Sequence, residues 1–442
     1  MKKFILIYLF ILLIFIKAAD YKIIGYYPYW SIYQLPPENI KIQYITHINY
    51  AFIEKVNDNG KIIISDNIII PSLNNIIHDN NKKILISVGG WGGLINFSNI
   101  IKKQKLRQNF INSIINFCID YDFDGIDIDW EFPSSNSDKE NLTLLIKELK
   151  SKINEEYPEL LLTMAIPNGG YYGQWFDYEK LQEHIDWFNL MSYDYHGSWS
   201  SHSGHNAPLY APSNCYDGSI SQSIEYLIKQ RKLSPQKLVL GVPFYGKKFN
   251  TDKLYTSFSE CSGVLYRDII TYLNKGWKYN WDDISKVPYL TNTSENALIT
   301  YDDSLSIAIK TKYAIDNQLN GVMIWALNQD SDNSILLSSI YNTITNNTSL
   351  KNKNIMAQKI ALKIFPNPCN KFCYISLNDY KYNLLKINIY NINGQNIFSK
   401  SYSALHSNII KINFNNDISS GIYFLKLQIN NKIFHKKITL IK

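Results

Sequence analysis

From Tyr21 to about Thr345, short apolar, β-branched or aromatic runs alternate with longer amphipathic stretches. The strand-like runs are 22–30, 45–53, 84–91, 123–131, 160–167, 186–194, 237–246 and 321–327. Between them, apolar positions at helical intervals predict helices over 106–120, 138–157, 219–231 and 304–317; the last carries apolar Leu305, Ile309 and Ala314. Eight strand–helix alternations over about 300 residues are the pattern of an α/β fold, the (β/α)8 TIM barrel. In that architecture chemistry gathers where the strands end.

Four segments break the pattern. Residues 247–300 are too long for a plain connection between the seventh and eighth runs. They hold Tyr255, Phe258, Tyr266, Tyr272, Trp277, Tyr279, Trp281 and Tyr289, and end in two strand-like pieces, 287–290 and 297–301. This predicts a small α+β insertion beside the barrel mouth. Residues 346–360 are polar and rich in Asn and Lys, as a linker would be. Beyond them, 361–367, 373–378, 385–391, 395–401, 409–414, 421–429 and 432–440 are short alternating runs separated by turns such as Asn393-Gly394. They predict an all-β sandwich over 361–442. At the other end, Met1-Lys2-Lys3 precedes an apolar run to Ile16 and then Ala18-Ala19. A basic start, a short apolar middle and small residues make 1–19 a secretory signal peptide, with 20–345 as the barrel domain.

The fourth run carries the chemistry. In Asp124-Gly125-Ile126-Asp127-Ile128-Asp129-Trp130-Glu131, strand alternation puts Asp127, Asp129 and Glu131 on one face and the apolar residues on the other. Three carboxylates packed along one face repel and raise one another's pKa values, an arrangement structure alone does not call for. Asp124 has the opposite parity and reads as structural. Glu131 ends the run, where a barrel places its catalytic groups.

Composition narrows the partners. The 442 residues are 45% hydrophobic and 19% charged, which supports packed cores, and the net charge of +7 is mild. Lys is spread along the chain with no basic, aromatic-interleaved run, which excludes a nucleic-acid binder. The five cysteines form no disulfide framework and no zinc motif; Cys215 with Cys261 is one candidate bridge in an exported protein. His196, His202 and His205 match no metal motif and read as loop hydrogen-bonders, so no metal and no cofactor are expected.

The run Asp124–Glu131 resembles the Asp-x-x-Asp-x-Asp-x-Glu signature of family 18 glycoside hydrolases, the chitinase family. Ser87-Val88-Gly89-Gly90-Trp91, Met191-Ser192-Tyr193-Asp194, Gly204-His205-Asn206-Ala207-Pro208-Leu209-Tyr210, Pro243-Phe244-Tyr245-Gly246 and the run from Gly321 to Leu327 resemble further motifs of that family, in its order. The resemblance spans roughly 21–345. It implies cleavage of β-1,4 bonds in chitin or N-acetylglucosamine oligomers, by a retaining mechanism in which the substrate's own acetamido oxygen is the nucleophile. On that reading Glu131 is the general acid, Asp129 orients the acetamido group, Asp127 shares a proton with Asp129, and Tyr193 hydrogen-bonds the acetamido carbonyl. Asp194 supports the sugar and Trp325 floors the site. Met191, Tyr26, Phe52, Trp91, Trp199 and Tyr245 line the cleft, although Met191 and Trp325 also suit a plain core. Ser87, Gly89, Gly90 and Asp124 support from behind, Ser87 by hydrogen-bonding Asp127. Two departures stand out: Lys247 where many members carry Arg, and Asn328-Gln329 where acids are common.

The tail resembles the sorting domain of the type IX secretion system, through Phe365-Pro366-Asn367-Pro368, the stretch from Ile389 to Gly394, and the stretch from Ser420 to Lys426. That implies export to the outside or the cell surface by that machinery. A carbohydrate-binding sandwich is the competing reading, weakened because 361–442 contain no Trp. For the whole chain the competing functions are an endo-β-N-acetylglucosaminidase acting on glycoproteins and a chitin-binding lectin on an inactive barrel; the latter normally lacks the terminal Glu that Glu131 supplies. A monomer is expected.

Overall fold

The computed structural model describes residues 21–64, 70–211, 217–273, 275–355, 363–376, 384–403, 409–415, 417–429 and 432–442. The signal peptide expected over 1–19 lies outside them, as does Cys215. The chain divides into two compact units that part between Ser349 and Leu350.

In the first unit eight parallel strands close into a barrel. They are β1 (Lys22–Pro28), β2 (His47–Ile53), β3 (Lys83–Gly89), β4 (Gly125–Asp129), β5 (Leu161–Pro167), β6 (Trp187–Met191), β7 (Leu238–Pro243) and β8 (Gly321–Trp325). Each pairs with its neighbours in chain order, and β8 returns to β1 through Gly321 opposite Lys22. Strands sheathed by helices are buried on both faces, so they are apolar nearly throughout. In β4 even Ile126 and Ile128 are sealed from solvent.

The helices pack their apolar stripes onto this wall. Gln104–Asp120 buries Phe110, Ile111, Ile114, Ile115 and Cys118. Asn136–Glu156 buries Leu142, Leu145, Ile146, Leu149 and Ile153, each side chain stabilising the fold by roughly 1.5–3 kcal/mol before entropy is counted. The second helix starts where the Ser135 hydroxyl accepts from the Asp138 N–H. Buried Arg107 holds the two helices together through a two-pronged contact with Glu148, 2.8 Å at each prong. Ser304–Asp316 begins with a capping box at Asp303. It also carries Lys310, fully buried and 2.5 Å from the equally buried Asp302.

The expected insertion is a five-stranded antiparallel sheet in the order Cys261–Leu265, Tyr245–Phe249, Ala297–Thr300, Val287–Asn292, Lys278–Asp282, with the helix Tyr266–Tyr272. Its first strand in chain order starts at Tyr245, two residues after β7 ends at Pro243. The run read as a single strand over 237–246 is therefore two. The linker expected from Asn346 is helical as far as Ile355, because Ile335–Ile355 continues past the barrel.

In the second unit Lys363–Phe365, Phe372–Ser376 and Ile409–Asn413 form one antiparallel sheet. Asn396–Ser403, Leu384–Tyr390, Gly421–Ile429 and Lys432–Leu440 form another, in that order. Alternate residues meet in one core, among them Ile375, Leu385, Ile387, Ile412, Leu425, Leu427 and Ile438. Among the described residues no helix is long and apolar enough to cross a membrane.

Candidate active site

Asp127 and Asp129 both lie inside the barrel, as strand alternation requires. Register sets their surroundings: Ser87 and Gly89 of β3 lie opposite Asp127 and Asp129, and Thr163 of β5 lies opposite Asp127. The Asp127 carboxylate is completely buried and accepts four hydrogen bonds. Oδ2 receives Tyr26 Oη at 2.7 Å and Ser87 Oγ at 2.8 Å. Oδ1 receives Thr163 Oγ1 at 2.5 Å and Asn189 Nδ2 at 3.0 Å. Burial pushes its pKa up, and the four donors oppose that shift.

Asp129 has no such support. Its Oδ1 is buried without a hydrogen-bond partner. Burial raises its pKa well above the carboxylate range, and the charges of Glu131 and Asp127 add to the shift. Glu131 stands just beyond the end of β4, where burial first and the Asp194 charge second push its carboxyl up to about 7. A carboxyl at that value holds a proton through much of the neutral range and can give it up. The peptide bonds Ala51–Phe52, Glu131–Phe132 and Trp325–Ala326, at the mouth ends of β2, β4 and β8, are cis.

Tyr193 follows β6, and its phenol is held protonated by burial, then by the charges of Asp129, Glu131 and Asp194. Beside it Asp194 Oδ1 accepts from Tyr245 Oη at 2.6 Å and pairs with Lys247 Nζ at 2.7 Å. The Lys247 ammonium also sits 5.0 Å from the Trp199 ring and 5.1 Å from the Tyr245 ring. The residue that departs from the family pattern is thus tied to Asp194 by one point charge rather than a planar fork.

Aromatic rings line the interior above the acids. Trp325 stacks on Phe52 with centroids 5.6 Å apart and tilts against Tyr26 at 5.5 Å. Trp30, half exposed, leans on Phe52 from outside. Trp91 and Trp199, 79% and 63% exposed, follow β3 and β6. Gly89 cannot be anything else: its φ is +130°, and an added Cβ would lie 1.8 Å from the Asp129 carbonyl oxygen. Gly90 N–H donates to that same oxygen at 2.8 Å.

The expected residues therefore converge, with exceptions. Asp124 is at the opposite end of β4, where it accepts from Ile84 N–H at 2.8 Å and pairs with Lys83 and His78. Met191 is half-buried and packs on the barrel core. Cys261 is a free thiol. Asn328 donates to the Gln34 side chain at 2.7 Å. Thr163 and Asn189 escaped the sequence reading, although each is a polar residue of inward parity in an apolar run. Asn206, which stands in the Gly204–Tyr210 motif without a role of its own, accepts from Asp194 N–H at 3.2 Å and donates to the Tyr245 carbonyl at 3.0 Å.

The geometry has counterparts among known proteins. Residues 22–330 match the family model for glycosyl hydrolases family 18, and residues 363–442 match that for a secretion system C-terminal sorting domain. Chitinase A1 of Niallia circulans is 31% identical over 405 residues, covering 72% of this chain and 58% of its own length. Probable chitinase 2 of Drosophila melanogaster is 35% identical over 275 residues, 56% of each chain. The chain thus spans somewhat over half the length of these two relatives. A mutant of the group II chitinase catalytic domain 2 from Ostrinia furnacalis, solved in complex with penta-N-acetylchitooctaose, superposes with a TM-score of 0.69. It is 26% identical, and the match covers 74% of this chain and 97% of that one.

Proposed function

We propose that this chain, which belongs to family 18 of the glycosyl hydrolases, is an exported chitinase that cleaves β-1,4 bonds between N-acetylglucosamine units with retention. One observation carries the reading: on one strand face a proton-holding Glu131 follows a buried Asp129 whose Oδ1 has no partner. Glu131 gives its proton to the glycosidic oxygen as that bond to C1 breaks. Asp129 cannot serve as nucleophile on the opposite face of the sugar, because it projects from the same strand face as the acid. The substrate's acetamido oxygen forms the new bond to C1 instead, giving an oxazolinium ion. Asp129 accepts the acetamido N–H and balances the positive charge, backed by Asp127 and its four donors. The Tyr193 hydroxyl, kept protonated, donates to the acetamido oxygen. Trp325 and Phe52 floor the sugar being distorted. Water then opens the oxazolinium ion as Glu131 takes its proton. The relatives named as chitinases and the oligosaccharide complex support chitin as the polymer.

The sorting-domain match supports release through the type IX machinery. The full chain, incubated with N-acetylglucosamine oligomers and separately with a glycoprotein, should release short oligomers from the first with β configuration at the new reducing end. An α product would refute retention, and release from the glycoprotein alone would move the substrate. A host strain lacking codons 363–442 should retain the enzyme inside the cell; normal export would refute the tail's role.

A further inference from the structure

Beside the cleft, the loop after β6 places His196 and His202 against Asp217, which arrives from a separate segment. Their ligand atoms all lie within 4.8 Å of one another. His196 Nε2 is 3.2 Å and His202 Nε2 3.5 Å from Asp217 Oδ2. A tetrahedral zinc ion, with bonds of roughly 2.0–2.1 Å, sets its ligand atoms about 3.3 Å apart. We propose that His196 Nε2, His202 Nε2 and Asp217 Oδ2 form a zinc site that ties the loop carrying Trp199 to the Asp217 segment.

Each imidazole is already oriented for this role. His196 Nδ1 lies 3.0 Å from the His205 carbonyl oxygen, and His202 Nδ1 lies 3.0 Å from the Ser203 carbonyl oxygen. A carbonyl only accepts, so both rings carry their proton on Nδ1, which leaves the Nε2 lone pairs turned toward the carboxylate. Backbone anchoring of the far nitrogen is the usual second support of metal-bound histidines. His196 is 3% exposed, and its Nε2 has no hydrogen-bond partner. Two lone pairs facing each other at 3.2 Å repel, and a cation between them removes the repulsion.

The pocket for the ring is built by its neighbours. A Cβ at residue 204 would lie 2.4 Å from the His196 ring, so only Gly204 lets that ring lie on the backbone. The Tyr255 ring stands 6.3 Å from His196 and 6.1 Å from His202, closing another side. His205 is committed elsewhere, with Nε2 at 2.9 Å from Asp282 Oδ2. His202 and Asp217 are about one-third exposed, which gives an ion an entry path and a water as fourth ligand. Two imidazoles and one carboxylate favour zinc and its borderline neighbours over magnesium or calcium. The assignment does not depend on the chain's glycosidase activity.

The test is metal content of the purified full chain after equilibration with zinc chloride and removal of free ion by gel filtration. The wild type should retain about one equivalent, and His202→Ala and Asp217→Asn each less than about a tenth of one. Cobalt in place of zinc should give the visible absorption of a tetrahedral centre in the wild type alone. Zinc should also raise the wild-type Tm by several degrees and leave both variants unmoved; their Tm without zinc checks that they fold. No retained zinc in the wild type, or equal retention in folded variants, would overturn the site.

Discussion

Replacing Glu131 with Gln should make the enzyme nearly inert and, above neutral pH, more stable. The carboxyl moves from its ordinary 4.5 to about 7 in the folded chain. At roughly 1.4 kcal/mol per pH unit, this difference corresponds to about 3 kcal/mol. The sign follows from proton affinity. The folded protein holds this proton more tightly than the unfolded chain, so stability contributed by Glu131 is greatest below about pH 4.5. It falls as pH rises and is fully lost above about 7. Glutamine fills nearly the same volume and has no charge to bury. It also relieves Asp129, whose own pKa is raised in part by Glu131. Urea denaturation of wild type and Glu131→Gln should therefore give nearly equal stabilities at pH 4. At pH 8 the variant should lead by up to about 3 kcal/mol. In parallel, oligomer hydrolysis should drop by about 10²–10⁴-fold, the usual contribution of a general acid. A stability difference that does not change with pH would refute the assignment of the raised pKa to Glu131. An active variant would refute its role as acid.

Three further outcomes follow. Asp194→Asn removes the like charge that raises Glu131 while leaving Lys247 in place, so the alkaline limb of kcat against pH should move down by up to about one pH unit; an unmoved or upward limb would contradict this electrostatic account. Gly89→Ala forces a Cβ into the Asp129 carbonyl and should cost about 3 kcal/mol or more by chemical denaturation, with activity lost in whatever still folds. Lys310→Met strands the buried Asp302 carboxylate and should cost about 3–5 kcal/mol at neutral pH; a neutral result would mean that Asp302 is protonated in the native chain.

Much of this molecule can be read from its sequence because its information is periodic. Each of the eight predicted runs overlaps a barrel strand, since parallel strands buried on both faces must be apolar nearly throughout. The parity of Asp127, Asp129 and Glu131 was legible for the same reason. Register between strands is not periodic along one chain. Nothing near Asp127 in sequence announces that Thr163 and Asn189 donate to it from 36 and 62 residues away. A polar residue of inward parity in an apolar run was the available signal. Parity puts Asp124 off the face of the three acids, but only the fold shows it bracing the opposite end of β4. The His196–His202–Asp217 group was invisible to spacing rules because its third member comes from another segment.

The Asp127 cradle has a consequence for how the barrel is assembled. Its four donors come from β1, β3, β5 and β6, so no hairpin-sized piece of the chain can complete it. Sliding any of those strands by one residue would turn its donor outward and leave a lone pair of the carboxylate unmet in a dry interior. Misaligned barrels are thereby penalised beside the acids on which the proposed chemistry rests. The carboxylate acts as an inspection point: a chain that satisfies it has β1, β3, β4, β5 and β6 in register, and that register sets Asp127 and Asp129 inside the barrel.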